Sequence, residues 1–177
     1  WNSLVEVQRN IGKKSTKKHH PVTLVKLSEI KIKEGQRRPI GIGELDRVLG
    51  GGLVPGGVVL LAGEPGIGKS TLLLQLATHY SHRSLLYVCG EESPNQVKIR
   101  AERLGVSTDN LLLLPTTDTD EVLQVLNKEK GLSLVIVDSI QAMATTDLSG
   151  TAGSVGQVRE SAARLIDWAK HTNVPLI

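Results

Sequence analysis

The sequence contains no phenylalanine, and aromatic residues make up only 2% of its 177 positions. Proteins that grip single-stranded nucleic acid by base stacking depend on aromatic platforms. Any nucleic-acid contact here must therefore rest on loops, backbone amides and basic side chains. Cysteine occurs once, as Cys89, which excludes a disulfide framework and a cysteine-built zinc site within this sequence. Lying in the apolar stretch 85–89, it reads as a buried core thiol. No apolar run approaches the ~20 residues that a membrane span needs. The first residues are basic and polar where a secretory signal would carry an apolar segment. These absences exclude a membrane-spanning or secreted class and leave a cytoplasmic reading.

What is present is ordinary for one globular domain: 40% apolar and 22% charged residues, in a chain long enough to bury a real core. The net charge of +3 conceals an asymmetry. Residues 1–40 hold ten Lys/Arg against Glu6, Glu29 and Glu34, whereas residues 41–177 hold eleven against fifteen acids. Lys13, Lys14, Lys17, Lys18, His19 and His20 are the densest cluster. Two readings stand for this arm: a solvated linker, or an electrostatic hold on phosphate backbones. The division expected is a basic linker over residues 1–35 and one domain over residues 36–177. Within the arm, residues 22–30 alternate well enough for a strand or a short docking segment.

From residue 58 onward an apolar run, a polar loop and an amphipathic stretch repeat. The apolar runs are 58–62, 85–89, 111–114, 134–138 and 174–177. Between them, helices are predicted over 70–80, from the Ser93-Pro94-Asn95-Gln96 capping box to Gly105, from the cap Asp118 to about 129, and from a Ser154/Gln157 capping box to about 170. A shorter helix is expected over 44–49, before the Gly50-Gly51-Gly52 stop. Runs that are apolar on both faces and alternate with helices predict an α/β domain, a parallel sheet covered on both sides. The fifth run coincides with the last residues, so the natural protein is expected to continue.

Gly63-Glu64-Pro65-Gly66-Ile67-Gly68-Lys69-Ser70-Thr71 matches the phosphate-binding pattern G-x-x-x-x-G-K-[ST], leaving a predicted strand and opening a predicted helix. Glycines let successive amides point at phosphate oxygens, and the helix start adds partial positive charge there. In this motif Lys69 reaches the β and γ phosphates and the Ser70 hydroxyl ligates Mg²⁺. The motif predicts ATP and Mg²⁺ as cofactors.

The metal's water shell requires a partner carboxylate, and Asp138 ends the apolar run Leu134-Val135-Ile136-Val137, at the strand end where such sheets place ligands. The competing reading of Asp138 is a helix N-cap. Ser139 follows it where many P-loop motors carry a catalytic glutamate, so the base must come from elsewhere. Glu91 and Glu92, after the second run, lie at the same sheet edge; either can serve as base, or favour the following helix start. Glu91 is the preferred base. Asn127-Lys128-Glu129-Lys130 nearly spells a guanine-recognition motif, but Lys130 stands where the base-reading aspartate belongs, which disfavours GTP.

Five segments together carry a family resemblance. They are Gly41-Ile42-Gly43-Glu44-Leu45-Asp46-Arg47-Val48-Leu49-Gly50-Gly51-Gly52-Leu53-Val54-Pro55-Gly56, the phosphate loop, Tyr87-Val88-Cys89-Gly90-Glu91-Glu92-Ser93, Val137-Asp138-Ser139-Ile140-Gln141, and Gly153-Ser154-Val155-Gly156-Gln157-Val158-Arg159-Glu160. From about residue 28 to its end the chain resembles the RadA (Sms) branch of the RecA-like DNA-repair ATPases. The resemblance implies a RecA-like sheet whose runs, numbered as they occur, lie in the order 3-2-4-5-1. It aligns Glu91 with the catalytic carboxylate and residues 141–153 with the first DNA-facing loop. It further implies DNA-stimulated ATP hydrolysis driving branch migration on single-stranded or branched DNA, as a hexameric ring. Family members carry an N-terminal four-cysteine zinc module and a C-terminal Lon-protease-like domain, and zinc is expected only in that module. They are bacterial, with relatives in plant organelles. The family's Lys-Asn-Arg-Phe-Gly motif cannot lie in a sequence without phenylalanine, so residues 1–177 alone are expected to hydrolyse ATP poorly. A KaiC-like autokinase shares the glycine-rich approach and the paired glutamates and is the alternative. A small-molecule kinase would need an Arg-rich lid, which residues 139–174 do not show.

Overall fold

The computed structural model describes residues 24, 26–29, 37–79, 84–106 and 109–177. The chain divides into two units, Trp1–Glu34 and Gly35–Ile177. In the first, Leu27–Glu29 is a single 3-10 turn, closed by the Glu29 N–H on the Lys26 carbonyl at 2.9 Å. Of the two readings of residues 22–30, a strand or a short docking segment, the strand is thus corrected at the described residues. Leu24 and Leu27 are exposed, and the turn satisfies its backbone locally, where a strand would need a neighbour. The rest of that expectation lies outside the described residues, as do Lys13, Lys14, Lys17, Lys18, His19 and His20.

The second unit is an α/β layer structure. Its helices are α1 (Gly43–Val48), α2 (Lys69–His79), α3 (Pro94–Arg103), α4 (Thr119–Lys128) and α5 (Val155–Thr172). Its strands are β1 (Ser84–Cys89), β2 (Leu111–Leu114) and β3 (Leu132–Asp138), all parallel, in the order β2-β1-β3. Leu176 makes one parallel bridge to Val135 and another to Val58. The five apolar runs, counted as they occur, therefore lie third, second, fourth, fifth, first, as the resemblance implied.

Period-two alternation explains why both sheet faces are covered. Leu85, Tyr87, Cys89, Leu134 and Ile136 share one buried cluster with Leu73, Leu74, Leu76 and Ala77 of α2 and Val97 and Ala101 of α3. Leu86, Val88 and Val135 share the other with Val122 and Leu126 of α4 and Leu165, Trp168 and Ala169 of α5. Cys89 is a free, buried thiol, and burial pushes its pKa up; it is core, as its surroundings suggested.

Two local expectations need correction. The apolar run 58–62 predicts a strand, but only its start is paired: the Val59 N–H donates to the Leu176 carbonyl at 2.9 Å and the Leu176 N–H to the Gly57 carbonyl at 3.0 Å. Leu60, further on, is 79% exposed. A strand forms only where a neighbour supplies partners, and among the described residues pairing here is confined to the bridge at Leu176.

The second correction concerns the start of α5. Ser93 and Gln96 form the predicted capping box on α3, and Asp118 caps α4 through the Asp120 and Glu121 amides. Ser154, by contrast, makes no side-chain cap. Gln157 turns inward, is 1% exposed, accepts from the Thr145 N–H at 2.8 Å and donates to the carbonyls of Thr145 and Leu148 at 3.1 and 2.7 Å. A buried amide that satisfies three backbone groups outweighs one exposed cap. Gln157→Leu is expected to destabilise the unit by roughly 1–3 kcal/mol by orphaning those groups. Urea unfolding checks it; an unchanged midpoint would show that water replaces the amide without loss.

Candidate functional site

The parallel sheet sends every strand-to-helix connection off the same edge, and the predicted site residues collect there. The connection after the first run, residues 63–68, opens α2 at Lys69. Gly66 and Gly68 have φ of +80° and +104°, and a Cβ at either would meet no atom within 4 Å. Backbone in this left-handed region is strained for residues other than glycine, and the two glycines leave the loop's inner surface open. The first N–H groups of α2, from Lys69, Ser70 and Thr71, have no intrahelical acceptor, and the first turn carries no acid. Lys69 Nζ donates to the Gly63 and Glu64 carbonyls at 2.8 and 2.9 Å, so its ammonium lies back across the loop. Glu64, Pro65 and Ile67 form the exposed rim. Glycine curvature, the amides of a helix start and a cation within one exposed loop fit a polyphosphate.

Asp138 ends β3, paired in register with Cys89 at the end of β1. Its even position puts it on the face of Leu134 and Ile136, the face that α2 covers. The Tyr87 hydroxyl donates to Asp138 Oδ2 at 2.5 Å. Tyr87 is buried, and its pKa is pushed far up by burial first, then by the hydrogen bond and charge of Asp138. The 3-10 turn that follows, Ile140–Ala142, has Ser139 and not Asp138 at its N-cap position, and the Asp138–Ser139 peptide bond is cis.

The two glutamates after β1 are not equivalent. Glu92 forms a short ion pair with Arg100 of α3, and that hydrogen bond is the main reason the Arg100 pKa is raised. Glu91 is exposed and accepts from the Ser139 hydroxyl, which brings its carboxylate to the residue adjoining Asp138. Lys130 folds back on the Asn127 carbonyl at 3.3 Å just past the end of α4, a helix terminus as read.

The structure thus gathers Glu91, Ser139 and Asp138 at one point of the edge. Residues 63–71 start two strand positions away from β3, about 10 Å at the usual spacing. Among the described residues no group of three or more His, Cys, Asp or Glu converges as a metal cage, so a cation here would be held by Ser70, Asp138, water and phosphate oxygens. No described helix is long and apolar enough to cross a membrane.

Sequence reasoning missed the roles of Tyr87, Ser139 and Arg100. For Tyr87 a signal existed: it is the polar-tipped ring inside the apolar strand Ser84–Cys89, and a buried phenol needs a partner. A further cluster was not visible in the sequence. Arg164 of α5 donates at 2.8 Å to each of Asp120, Asp147 and Glu160. With Gln157 it fixes the base of the 141–153 connection, whose residues 146–153 are exposed.

Comparison with known proteins identifies the domain to which these residues belong. A family model described as an AAA domain matches residues 41–177. The chain is 44% identical over 176 residues to the DNA repair protein RadA of Aquifex aeolicus, covering 99% of this chain and 39% of that protein. With the Escherichia coli (strain K12) DNA repair protein RadA it shares 46% identity over 153 residues, 86% of this chain and 33% of that one. With the Bacillus subtilis protein of the same name it shares 40% over 184 residues, 99% and 40%. The chain spans about two fifths of the length of the curated relatives it matches. On the domain match and these likenesses, the chain belongs to the AAA domain family and, within it, to the RadA/Sms proteins.

Proposed function

We propose that this chain is the ATP-binding and ATP-hydrolysing core of a DNA-dependent, helicase-like motor acting in recombinational repair. The observation that carries the catalytic part is the Ser139–Glu91 hydrogen bond. It sets an exposed carboxylate beside Asp138, on the sheet edge from which the phosphate loop also departs.

Bound ATP with Mg²⁺ supplies the transferable phosphoryl group and the positive charge that neutralises its oxygens. The residues do the rest. The amides of Gly66, Gly68 and the start of α2 would donate to the phosphate oxygens, with Gly63, Glu64, Pro65 and Ile67 shaping the loop and Thr71 following in the helix. Lys69 leaves the Gly63 and Glu64 carbonyls for the phosphate oxygens, exchanging neutral acceptors for charged ones. The Ser70 hydroxyl and the Asp138 carboxylate would hold a Mg²⁺ ion with its water. Glu91 orients the attacking water and takes its proton, and Ser139 holds Glu91 in place. Glu92, neutralised by Arg100, stays out of the reaction.

The DNA part of the proposal draws on relatives named DNA repair protein RadA and on the exposed 146–153 loop. That loop carries hydroxyls and glycines but no Lys or Arg, so contact to single-stranded or branched DNA would run through amides and hydroxyls. A homo-oligomeric ring, a bacterial cytoplasmic setting and a zinc module elsewhere in the full-length protein belong to the same proposal. The RadA likenesses favour it over a KaiC-like autokinase.

The test is phosphate release by the full-length protein with and without single-stranded DNA. Clear stimulation is expected. Unstimulated turnover would remove the DNA-dependent reading, and phosphate transferred to the protein itself would support the autokinase.

A further inference from the structure

We infer that Tyr87 is a positioning residue for the metal-site carboxylate: its hydroxyl, donated to Asp138 Oδ2, fixes that carboxylate so that the other oxygen faces the metal's water shell. The inference rests on the reading of Asp138 as the carboxylate that holds the metal.

The geometry is specific. Tyr87 on β1 is paired with Ile136 on β3, one alternation short of Asp138 on the same face. Its ring therefore lies in the core beneath the carboxylate, packed with Leu85, Leu134 and Ile136, and is 1% exposed. A ring so enclosed has few rotamers, and its hydroxyl meets Asp138 at 2.5 Å. An ionised carboxylate can only accept, and a phenol is one of the few core side chains able to donate. The bond occupies one oxygen and stops rotation about the terminal carboxylate torsion, which is otherwise broad and two-fold. Residues that hold a metal-site ligand in this way are commonly worth 10–100-fold in metal affinity.

Nearby groups support the same role. Arg100 and Glu92 lie close enough to influence Tyr87 electrostatically, but the Arg100 guanidinium is engaged by Glu92. Among the described residues, the phenol is the side-chain donor to Asp138 that the structure shows. The strand thus sends one side chain out of an apolar core to meet the site from below.

The test uses full-length protein carrying Tyr87→Phe, which keeps the ring and deletes the hydroxyl. Mn²⁺ serves as the probe, its free concentration read by electron paramagnetic resonance in the presence of a non-hydrolysable ATP analogue. The apparent Mn²⁺ Kd is expected to rise about 10–100-fold, analogue affinity in EDTA to stay at the wild-type value, and high Mg²⁺ to restore turnover. Wild-type Mn²⁺ affinity in Tyr87→Phe, alongside loss in Asp138→Asn, overturns the inference and leaves the metal reading intact. Wild-type affinity in both variants overturns the metal reading itself. Should the phenylalanine variant fail to fold, Tyr87→Met lacks the same hydroxyl and must show the same weakened Mn²⁺ binding.

Discussion

Replacing Glu91 with glutamine is expected to lower ATP hydrolysis by the full-length protein by about two orders of magnitude or more, with ATP affinity unchanged. The size is the usual worth of a positioned general base. Binding is spared because Glu91 sits at the β1 end, with no place in the phosphate loop or the metal ligand set. The substitution keeps the side chain's size and its ability to accept from Ser139, so the fold is not at issue. Glu92→Gln is the discriminating control. Glu92 is committed to Arg100, one of whose buried nitrogens, Nη1, has no partner among the described residues. Weakening that pair is expected to lower the melting temperature, with turnover retained. Single-turnover hydrolysis and calorimetric ATP binding on both variants decide the matter. An inactive Glu92→Gln beside a normal Glu91→Gln would reverse the assignment.

Lys69→Ala is expected to remove most triphosphate affinity, the other large effect. In the structure the Lys69 ammonium bonds two loop carbonyls, at 2.8 and 2.9 Å, and these contacts are exposed to water. A transfer to phosphate oxygens replaces these neutral acceptors with anionic ones, so that both partners of each bond carry charge. Losing one charged hydrogen bond of this kind costs about 1.5–3 kcal/mol, or roughly 10–150-fold in Kd. Alanine leaves α2 intact, since it is the best helix former, so a fall in affinity reports the lost cation. Calorimetry with Mg²⁺–ATP showing wild-type affinity in Lys69→Ala would end the phosphate-loop reading. A loss confined to the absence of Mg²⁺ would instead assign most of the binding energy to the metal and its ligands.

Elements whose stability is local were legible in the sequence. Ser93 with Gln96 and Asp118 with its two amides act within one helical turn, so spacing alone identifies them. The same spacing at Ser154 and Gln157 misled, because the Gln157 amide was taken by Thr145 and Leu148, residues that only folding brings near. Residues 58–62 misled for a related reason: an apolar run predicts burial, but ladder pairing depends on a neighbour, present among the described residues only at Leu176.

By itself, then, the sequence determined the alternation of buried runs and helices, the glycine and lysine pattern of the phosphate loop, and the presence of an acid at the end of two strands. Each of these depends on residue type and short-range spacing. Only the tertiary structure decided which partner each carboxylate has: Glu91 with Ser139, Glu92 with Arg100, Asp138 with Tyr87. Those pairs join, in that order, two connections that follow different strands, a connection and a helix, and two neighbouring strands. Their geometry follows from parallel register and from which face of the sheet each side chain occupies, quantities set by pairing between distant segments and by no short stretch of chain alone.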